Sequence, residues 1–240
     1  MQKVVENVKD TSLGVMAVQE RLYAQRDEAY KEFQSKLVPN ISPDVILGVR
    51  TEPLRQLAKE LFGTPEAEEF LRQLPHSFYE ENLLHFFLIA LIREPSACIE
   101  RIEAFLPYVD CWPVCDQATP KCFRKNHSLI LPYIKRWIES EHIYTARFGI
   151  RMLMNEFLGD DFREEYLDWV ASKTGDAYYL RMMVAWYFAT ALAKQYDKSV
   201  VYLEKHRLDA WTHRKAIQKA VESFRVSEEH KTYLRTLRSH

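Results

Sequence analysis

The stretch 178–194, YYLRMMVAWYFATALAK, decides the fold of this chain. Its side chains are apolar almost all round until Lys194. A helix of this kind lies in a protein interior, with further helices packed on both sides of it. Any polar or aromatic group that it offers to a ligand must therefore come from its one exposed edge, and Trp186 belongs to this helix.

Outward from this stretch, helix starts are marked by a Ser or Thr followed by Pro. Three such pairs occur, at Ser42-Pro43, Thr64-Pro65 and Thr119-Pro120, and Thr51 begins a fourth, slightly displaced signal. The hydroxyl accepts a hydrogen bond from an unpaired N–H, and Pro fits the first turn because its missing donor has no partner there. Alternating Val- and Thr-rich strands with tight turns are absent from the sequence. The sequence therefore predicts an all-α fold.

The predicted helices also recur along the chain with similar sequence features. Leu-Pro pairs at 74–75, 106–107 and 131–132 look like equivalent helix entries. Strong second helices are predicted near 82–92, 116–125, 145–157, 178–194 and 212–224. Offsets of roughly 30 to 40 residues are the period of paired-helix solenoids, whose pairs must stack to bury both faces. This predicts about 12 or more helices in a curved array with a concave surface, and a compact helical bundle is the alternative.

The composition of the 240 residues supports one domain over 1–240 and excludes several classes of protein. With 47% hydrophobic residues the chain can build a core, which excludes intrinsic disorder. Its six glycines are scattered and form no GxGxxG or GKS/T motif, which excludes the common nucleotide-phosphate loops. No apolar run of about 18 residues predicts a membrane span. The charged start MQKVVENVKD predicts no signal peptide, so we expect a cytoplasmic protein.

Four cysteines, at 98, 111, 115 and 122, form no CxxC pair and have no HxxxH partner. Buried thiols are therefore favoured over a zinc site.

Charge is distributed in blocks although the net charge is only −1. Residues 60–104 carry a balance of −6, residues 121–151 one of +5, and residues 152–180 one of −5. Residues 201–240 have nine Lys and Arg against five acids. Such blocks are either solvated helix faces or, if the basic ones share a face, the footprint of a nucleic-acid backbone. On the second interpretation Arg147, Arg151, Arg214 and Lys215 contribute to one positive face.

Trp112 precedes Asp116 by four residues in the segment WPVCD. If residues 113–117 form one helical turn, both side chains project from the same side. One interpretation places Trp112 in the core with Asp116 capping a nearby helix. The other makes Asp116 a functional carboxylate beside an aromatic wall.

A polar stripe follows in the next predicted helix, where Arg147, Arg151 and Asn155 are spaced four residues apart. Arginines in such a stripe are ordinarily solvated or paired with Glu, but they also suit two successive phosphates. If the repeats stack, positions 116, 147 and 186 lie near one another on the concave face.

These motifs carry a resemblance to a known family. The segments GVRTEPLRQLAKEL from residue 48, WPVCD, the Arg147 helix and MMVAWYFATALAK resemble the AlkD-type DNA alkylation repair glycosylases, whereas residues 1–40 match least. The resemblance implies a HEAT-like repeat fold that excises positively charged N3- and N7-alkylated purines from duplex DNA without a metal or another cofactor. It implies that Trp112 and Trp186 are aromatic walls and Asp116 the catalytic carboxylate. It implies a phosphate contact by Arg147, chosen over Arg151 because Arg147 stands at the start of its helix.

The implied chemistry is reasonable because an alkylated, cationic purine is already a good leaving group. Its departure builds positive charge on the deoxyribose, which a fixed carboxylate stabilises. Each flanking Trp face adds about 0.5 to 2 kcal/mol of cation–π attraction. We expect a monomer on duplex DNA, associated with the nucleoid when DNA-bound. A catalytically silent DNA-binding or scaffold protein of the same fold is the alternative, and a protein-interaction module is a weaker one.

Overall fold

The protein is all-helical throughout the residues that a computed structural model describes, 12–238. These residues form fourteen α-helices and no strand, which confirms the predicted all-α class. None of the helices in this range has the length and apolar character needed to cross a membrane. The chain divides into two compact units, the first ending at Cys122 and the second beginning at Phe123.

The described part of the first unit, from residue 12 onward, contains seven α-helices. They are α1 (Leu13–Tyr23), α2 (Glu28–Leu37), α3 (Thr51–Leu61), α4 (Pro65–Arg72), α5 (Tyr79–Ala90), α6 (Pro95–Phe105) and α7 (Trp112–Gln117). Helix α5 packs against α3 and also against α7, while α1 packs against α4. Because α5 is buried over nearly its whole length, it is the central helix of this unit.

A buried carboxylate anchors the loop that leads into α3. Glu80 is fully buried on α5, and its carboxylate accepts backbone N–H bonds from Leu47 at 2.9 Å, Gly48 at 2.7 Å and Val49 at 3.3 Å. Burial raises the pKa of Glu80, and these N–H donors oppose the rise. Gly48 has a φ of +85°, and a Cβ there would lie 2.3 Å from the carbonyl oxygen of Asp27, so only glycine fits.

A pair of buried histidines also belongs to the core of the first unit. His76 Nε2 lies 2.7 Å from His85 Nδ1, and the His85 ring stacks on Phe105 with centroids 4.0 Å apart. Burial lowers the pKa of His76 to about 3 and that of His85 well below its ordinary value. Both rings are therefore neutral in the folded protein at pH 7.

The second unit, as far as residue 238, also contains seven α-helices. They are α8 (His127–Glu139), α9 (Ile143–Glu156), α10 (Glu165–Ala171), α11 (Tyr178–Lys194), α12 (Tyr196–Glu204), α13 (Ala210–Glu222) and α14 (Glu228–Thr236). Helix α11 packs against α9 and against α13, and α12 and α10 contact it as well. The interior helix predicted at 178–194 is confirmed with the same bounds. Each unit thus stacks alternate helices side by side, the packing of a helical repeat.

Two local predictions were wrong. No single helix spans 116–125, because the chain leaves α7 at Gln117 and forms a 3-10 helix over Lys121–Lys125. Pro120 accounts for the break, since it disfavours helical backbone in the residue before it. The Leu-Pro pairs are also not equivalent, because Leu131-Pro132 lies inside α8 whereas Leu106-Pro107 forms a 3-10 turn after α6.

The Ser/Thr-Pro signals mark helix starts as predicted, although not always of α-helices. Thr64 caps α4, its hydroxyl accepting from the N–H of Ala67 at 3.2 Å. Ser42 caps only the short 3-10 helix Pro43–Val45.

Candidate functional site

Helix α7 carries Trp112 at its first position and Asp116 one turn later, as predicted. Both side chains are half-buried. The indole N–H of Trp112 donates to the carbonyl oxygen of Leu37, the last residue of α2, at 3.1 Å. The Trp112 ring is therefore fixed at its edge by a neighbouring helix.

The other end of α7 is fixed by α3. Arg55 donates from Nη2 to the carbonyl oxygen of Gln117 at 2.5 Å, and the Thr51 hydroxyl lies 3.2 Å from the Gln117 side-chain oxygen. A helix of so few residues has little stability of its own, so these contacts hold it in place. The Asp116 side chain consequently projects from a short helix that is anchored at both ends.

A cationic cleft of about 230 Å³ opens beside the residues that follow α7. We call it the α7 cleft; Arg55, Lys59 and Lys121 contribute its charges, and Ala118 lies in its wall. Its aromatic residue, Phe87, is only 4% exposed and lies under the Arg55 guanidinium, whose carbon is 4.3 Å from the ring centroid. The cleft therefore offers positive charge but no accessible ring.

In the second unit, the two arginines of α9 occupy different environments. Arg147 is only 4% exposed, and its guanidinium donates to the carbonyl oxygen of Tyr179 at 2.6 Å. Arg151, one turn later, is half-buried and donates to the Asn155 side-chain oxygen at 2.9 Å. The Arg147 guanidinium is thus engaged with the main chain at the start of α11, and its contact with a phosphate stays a prediction.

Arg151 lies against Trp186, the aromatic residue predicted for the site. Its guanidinium carbon is 5.0 Å from the centroid of the half-buried Trp186 ring, a distance typical of a cation–π contact. The structure thus brings together the tryptophan of α11 and the arginine of α9 that the sequence analysis had ranked second.

A second cleft, of about 320 Å³, has Trp186 among its lining residues. We call it the α11 cleft; its lining includes Thr190, Lys194, Lys219, Phe224 and Arg225. Glu222 is the one acidic residue among its lining residues. Trp186 thus contacts a cation of α9, Arg151, and lines a cleft to which α13 contributes Lys219.

The sequence matches the model of a known protein family. The model of the DNA alkylation repair enzyme family matches residues 18–220. The chain belongs to this family. No curated protein matches the sequence. Membership assigns the protein to the repair of alkylated DNA and makes DNA its partner.

The remaining predicted DNA contacts of this DNA alkylation repair protein lie on α13. Arg214 is exposed, whereas Lys215 is half-buried, donates to the Gln218 side-chain oxygen at 2.8 Å and lies 5.8 Å from the Trp211 ring. The α13 lysine that lines the α11 cleft is Lys219, one turn beyond Lys215. Lys219 was not predicted as a contact, although its spacing of four residues from Lys215 places both on one side of the helix.

The cysteines are buried thiols in the main, as favoured from the sequence. Cys98, Cys111 and Cys115 are buried, Cys122 is half-buried, and none of the four forms a disulfide. Burial raises the pKa of the Cys111 thiol. Within residues 12–238, no group of three or more His, Cys, Asp or Glu side chains is arranged to hold a metal ion.

Proposed function

We propose that this protein is a DNA glycosylase that hydrolyses the N-glycosidic bond of positively charged N3- and N7-alkylated purines in duplex DNA. The observation that carries the proposal is the pairing of Trp112 and Asp116 on α7, a helix anchored at both ends. Membership of the DNA alkylation repair enzyme family supports the substrate class.

In the proposed reaction, Asp116 stabilises the positive charge that develops on the deoxyribose. The C1′–N bond breaks, its electron pair leaves with the purine, and the cationic base becomes neutral. Water adds to C1′ and gives up a proton, which Asp116 accepts. A carboxylate held by the fold stabilises such a transition state without first reorganising. The face of Trp112 adds cation–π attraction to the same charge.

In this proposal, the second unit binds the DNA backbone through Arg151 rather than Arg147. Arg151 is partly accessible and lies on the Trp186 ring, whereas the Arg147 guanidinium is engaged with a backbone carbonyl. Arg214 and Lys215 on α13 supply further charge. We also propose that the protein acts as a monomer in the cytoplasm and associates with the nucleoid when bound to DNA.

Release of N7-methylguanine from methylated duplex DNA tests the proposal directly. Asp116→Asn keeps the side-chain shape but removes its charge, and we expect base release to slow by at least ~100-fold, about 2.7 kcal/mol of transition-state stabilisation. Duplex affinity should hold or rise slightly, because a carboxylate near phosphates repels them.

The matched control is Asp110→Asn, which removes an exposed negative charge from the segment before α7. This control should release base at nearly the wild-type rate. If Asp116→Asn also retains that rate, Asp116 has only a structural role. If wild-type protein binds duplex DNA but releases no base, the protein is a catalytically silent DNA-binding member of the family.

A further inference from the structure

The turn after α13 holds an aromatic ring out in solvent. Phe224 is 90% exposed, the largest exposure among the large hydrophobic residues described. The turn is fixed, since the Ser223 hydroxyl accepts from the Arg225 N–H at 3.2 Å and Val226 is buried. Phe224 is therefore presented outward by an ordered turn.

Single exposed rings are common on protein surfaces, so the exposure of Phe224 alone does not indicate a binding site. The residues around Phe224 are the stronger indication. It lines the α11 cleft together with Lys194, Lys219 and Arg225. Among residues 12–238, no carboxylate forms an ion pair with any of these three cations. With Glu222 as the acid in the lining, the cleft has a net charge of +2.

The cleft therefore combines accessible ring surface with a net positive charge. The Arg225 guanidinium carbon lies 5.9 Å from the Phe224 centroid, but the ring is still 90% exposed. The cleft volume of about 320 Å³ is at the small end of the ~300–1,000 Å³ range of ligand sites, which suits one nucleotide-sized group. Proteins that hold unpaired nucleotides combine these two elements, because every base has a face that stacks and every nucleotide carries a phosphate.

We propose that the α11 cleft binds an unpaired nucleotide of DNA, with its base stacked on Phe224 and its flanking phosphates on Lys194, Lys219 and Arg225. This inference rests on the proposed function, since Trp186 lies against Arg151, the proposed backbone contact, and also lines the α11 cleft. It goes beyond that function because Phe224 and Arg225 follow the residues that the family model matches, 18–220. An acidic peptide would use the cations but would gain nothing from an exposed phenyl ring beside them.

Two short duplexes test this proposal, one fully paired and one carrying a single unpaired 2-aminopurine. We expect wild-type protein to bind the second duplex more tightly and to quench its 2-aminopurine fluorescence through stacking. Phe224→Ala should weaken binding of that duplex about fivefold or more, the lower end of stacking contributions measured by alanine substitution, and should abolish the quenching. Binding of the fully paired duplex should change much less.

Two further variants separate stacking from charge. Lys219→Gln should reduce the salt dependence of binding to the unpaired probe by nearly one phosphate contact, whereas Phe224→Ala should leave that dependence unchanged. Phe62→Ala removes a 44% exposed ring from the first unit and should behave as wild type. Thermal unfolding of each variant verifies that it is folded.

The proposal is overturned if wild-type protein binds both duplexes equally, or if Phe224→Ala keeps both the preference and the quenching. It is also overturned if a polyglutamate peptide displaces the unpaired probe as well as DNA of equal charge does. Base release from methylated duplex distinguishes a failure of this inference from a failure of the proposed function. Release without a preference for the unpaired probe would refute this inference alone, whereas loss of release with the preference retained would refute the proposed function.

Discussion

The α7 cleft and the α11 cleft are built from the same residue types but use them differently. Each has three cations and one phenylalanine, and the α11 cleft also has Trp186 and Glu222. In the α7 cleft, Phe87 is 4% exposed and covered by Arg55, whereas in the α11 cleft Phe224 is 90% exposed. The first ring is part of a core, and the second is available to a ligand.

The cations of the two clefts differ in whether they contact other groups of the protein. Arg55 donates to the carbonyl oxygen of Gln117 and so holds the helix that carries Asp116. Lys194 and Lys219 have no such internal role among the contacts of the described residues. The comparison teaches that composition alone does not identify a binding site. Both rings have an arginine over them, since the Arg225 guanidinium carbon lies 5.9 Å from the Phe224 centroid. What distinguishes the two clefts is that Phe224 stays 90% exposed whereas Phe87 is buried.

The largest difference between the clefts should be in stability. Phe87→Ala removes a buried ring and should lower the free energy of unfolding by about 3–5 kcal/mol. Phe224→Ala removes an exposed ring and should change it by no more than about 0.5 kcal/mol. Urea unfolding of both variants provides the measurement, and similar losses would show that the two rings do not differ in role.

The two arginines of α9 should also differ, one contributing mainly to stability and the other mainly to DNA binding. The expected effects are smaller than those of the two phenylalanines. Arg147→Ala leaves the Tyr179 carbonyl without its charged donor and should destabilise the protein by about 1–3 kcal/mol. Arg151→Ala should cost less stability but lower the slope of log affinity against log salt by about 0.9, the value for one phosphate contact. A salt slope that falls for Arg147→Ala instead would restore the original assignment.

Loss of the α7 anchor should affect catalysis more than binding. Arg55→Gln removes the donor to Gln117 and should slow single-turnover base release about tenfold, about 1.4 kcal/mol, because Asp116 is then less firmly positioned. Arg50→Gln is the matched control, since it removes an exposed arginine at the start of α3. Equal effects of the two variants on the rate would mean that charge alone matters.

The smallest expected effect is a loss of stability at low pH. It comes from His76 and His85, which lie in the same unit as the α7 cleft. Since burial lowers the pKa of His76 and His85, the unfolded chain binds protons that the folded one does not, and stability is lost as pH falls below 6.5. Each histidine should cost about 1 kcal/mol between pH 7 and pH 5.5.

Urea unfolding at these two pH values, for wild type and for His85→Phe, isolates this effect. The raised pKa values of Glu80 and Glu81 act in the opposite direction, but they are common to both proteins and cancel in the comparison. His85→Phe should lose less stability on acidification than wild type. An identical loss would place the acid-sensitive groups elsewhere.

The sequence predicted the features that depend on local pattern. The bounds of α11 follow from its apolar run, and the relation between Trp112 and Asp116 follows from their spacing. The choice between Arg147 and Arg151 could not be made in this way, because both lie on one stripe of α9. Their burial depends on which backbone groups of α11 lie opposite, a property of packing. Phe224 was missed because a single exposed ring in a turn has no periodic signal.

The loop that Glu80 holds has a consequence for ligand binding. Three successive N–H groups converging on one anion, as at Leu47, Gly48 and Val49, form the kind of nest that captures phosphate in other proteins. Here the chain supplies its own anion from α5, so the nest is filled from within. The glycine of the GVRT motif thus serves an internal ligand, and the loop is closed to phosphates of the DNA as long as that carboxylate stays in place.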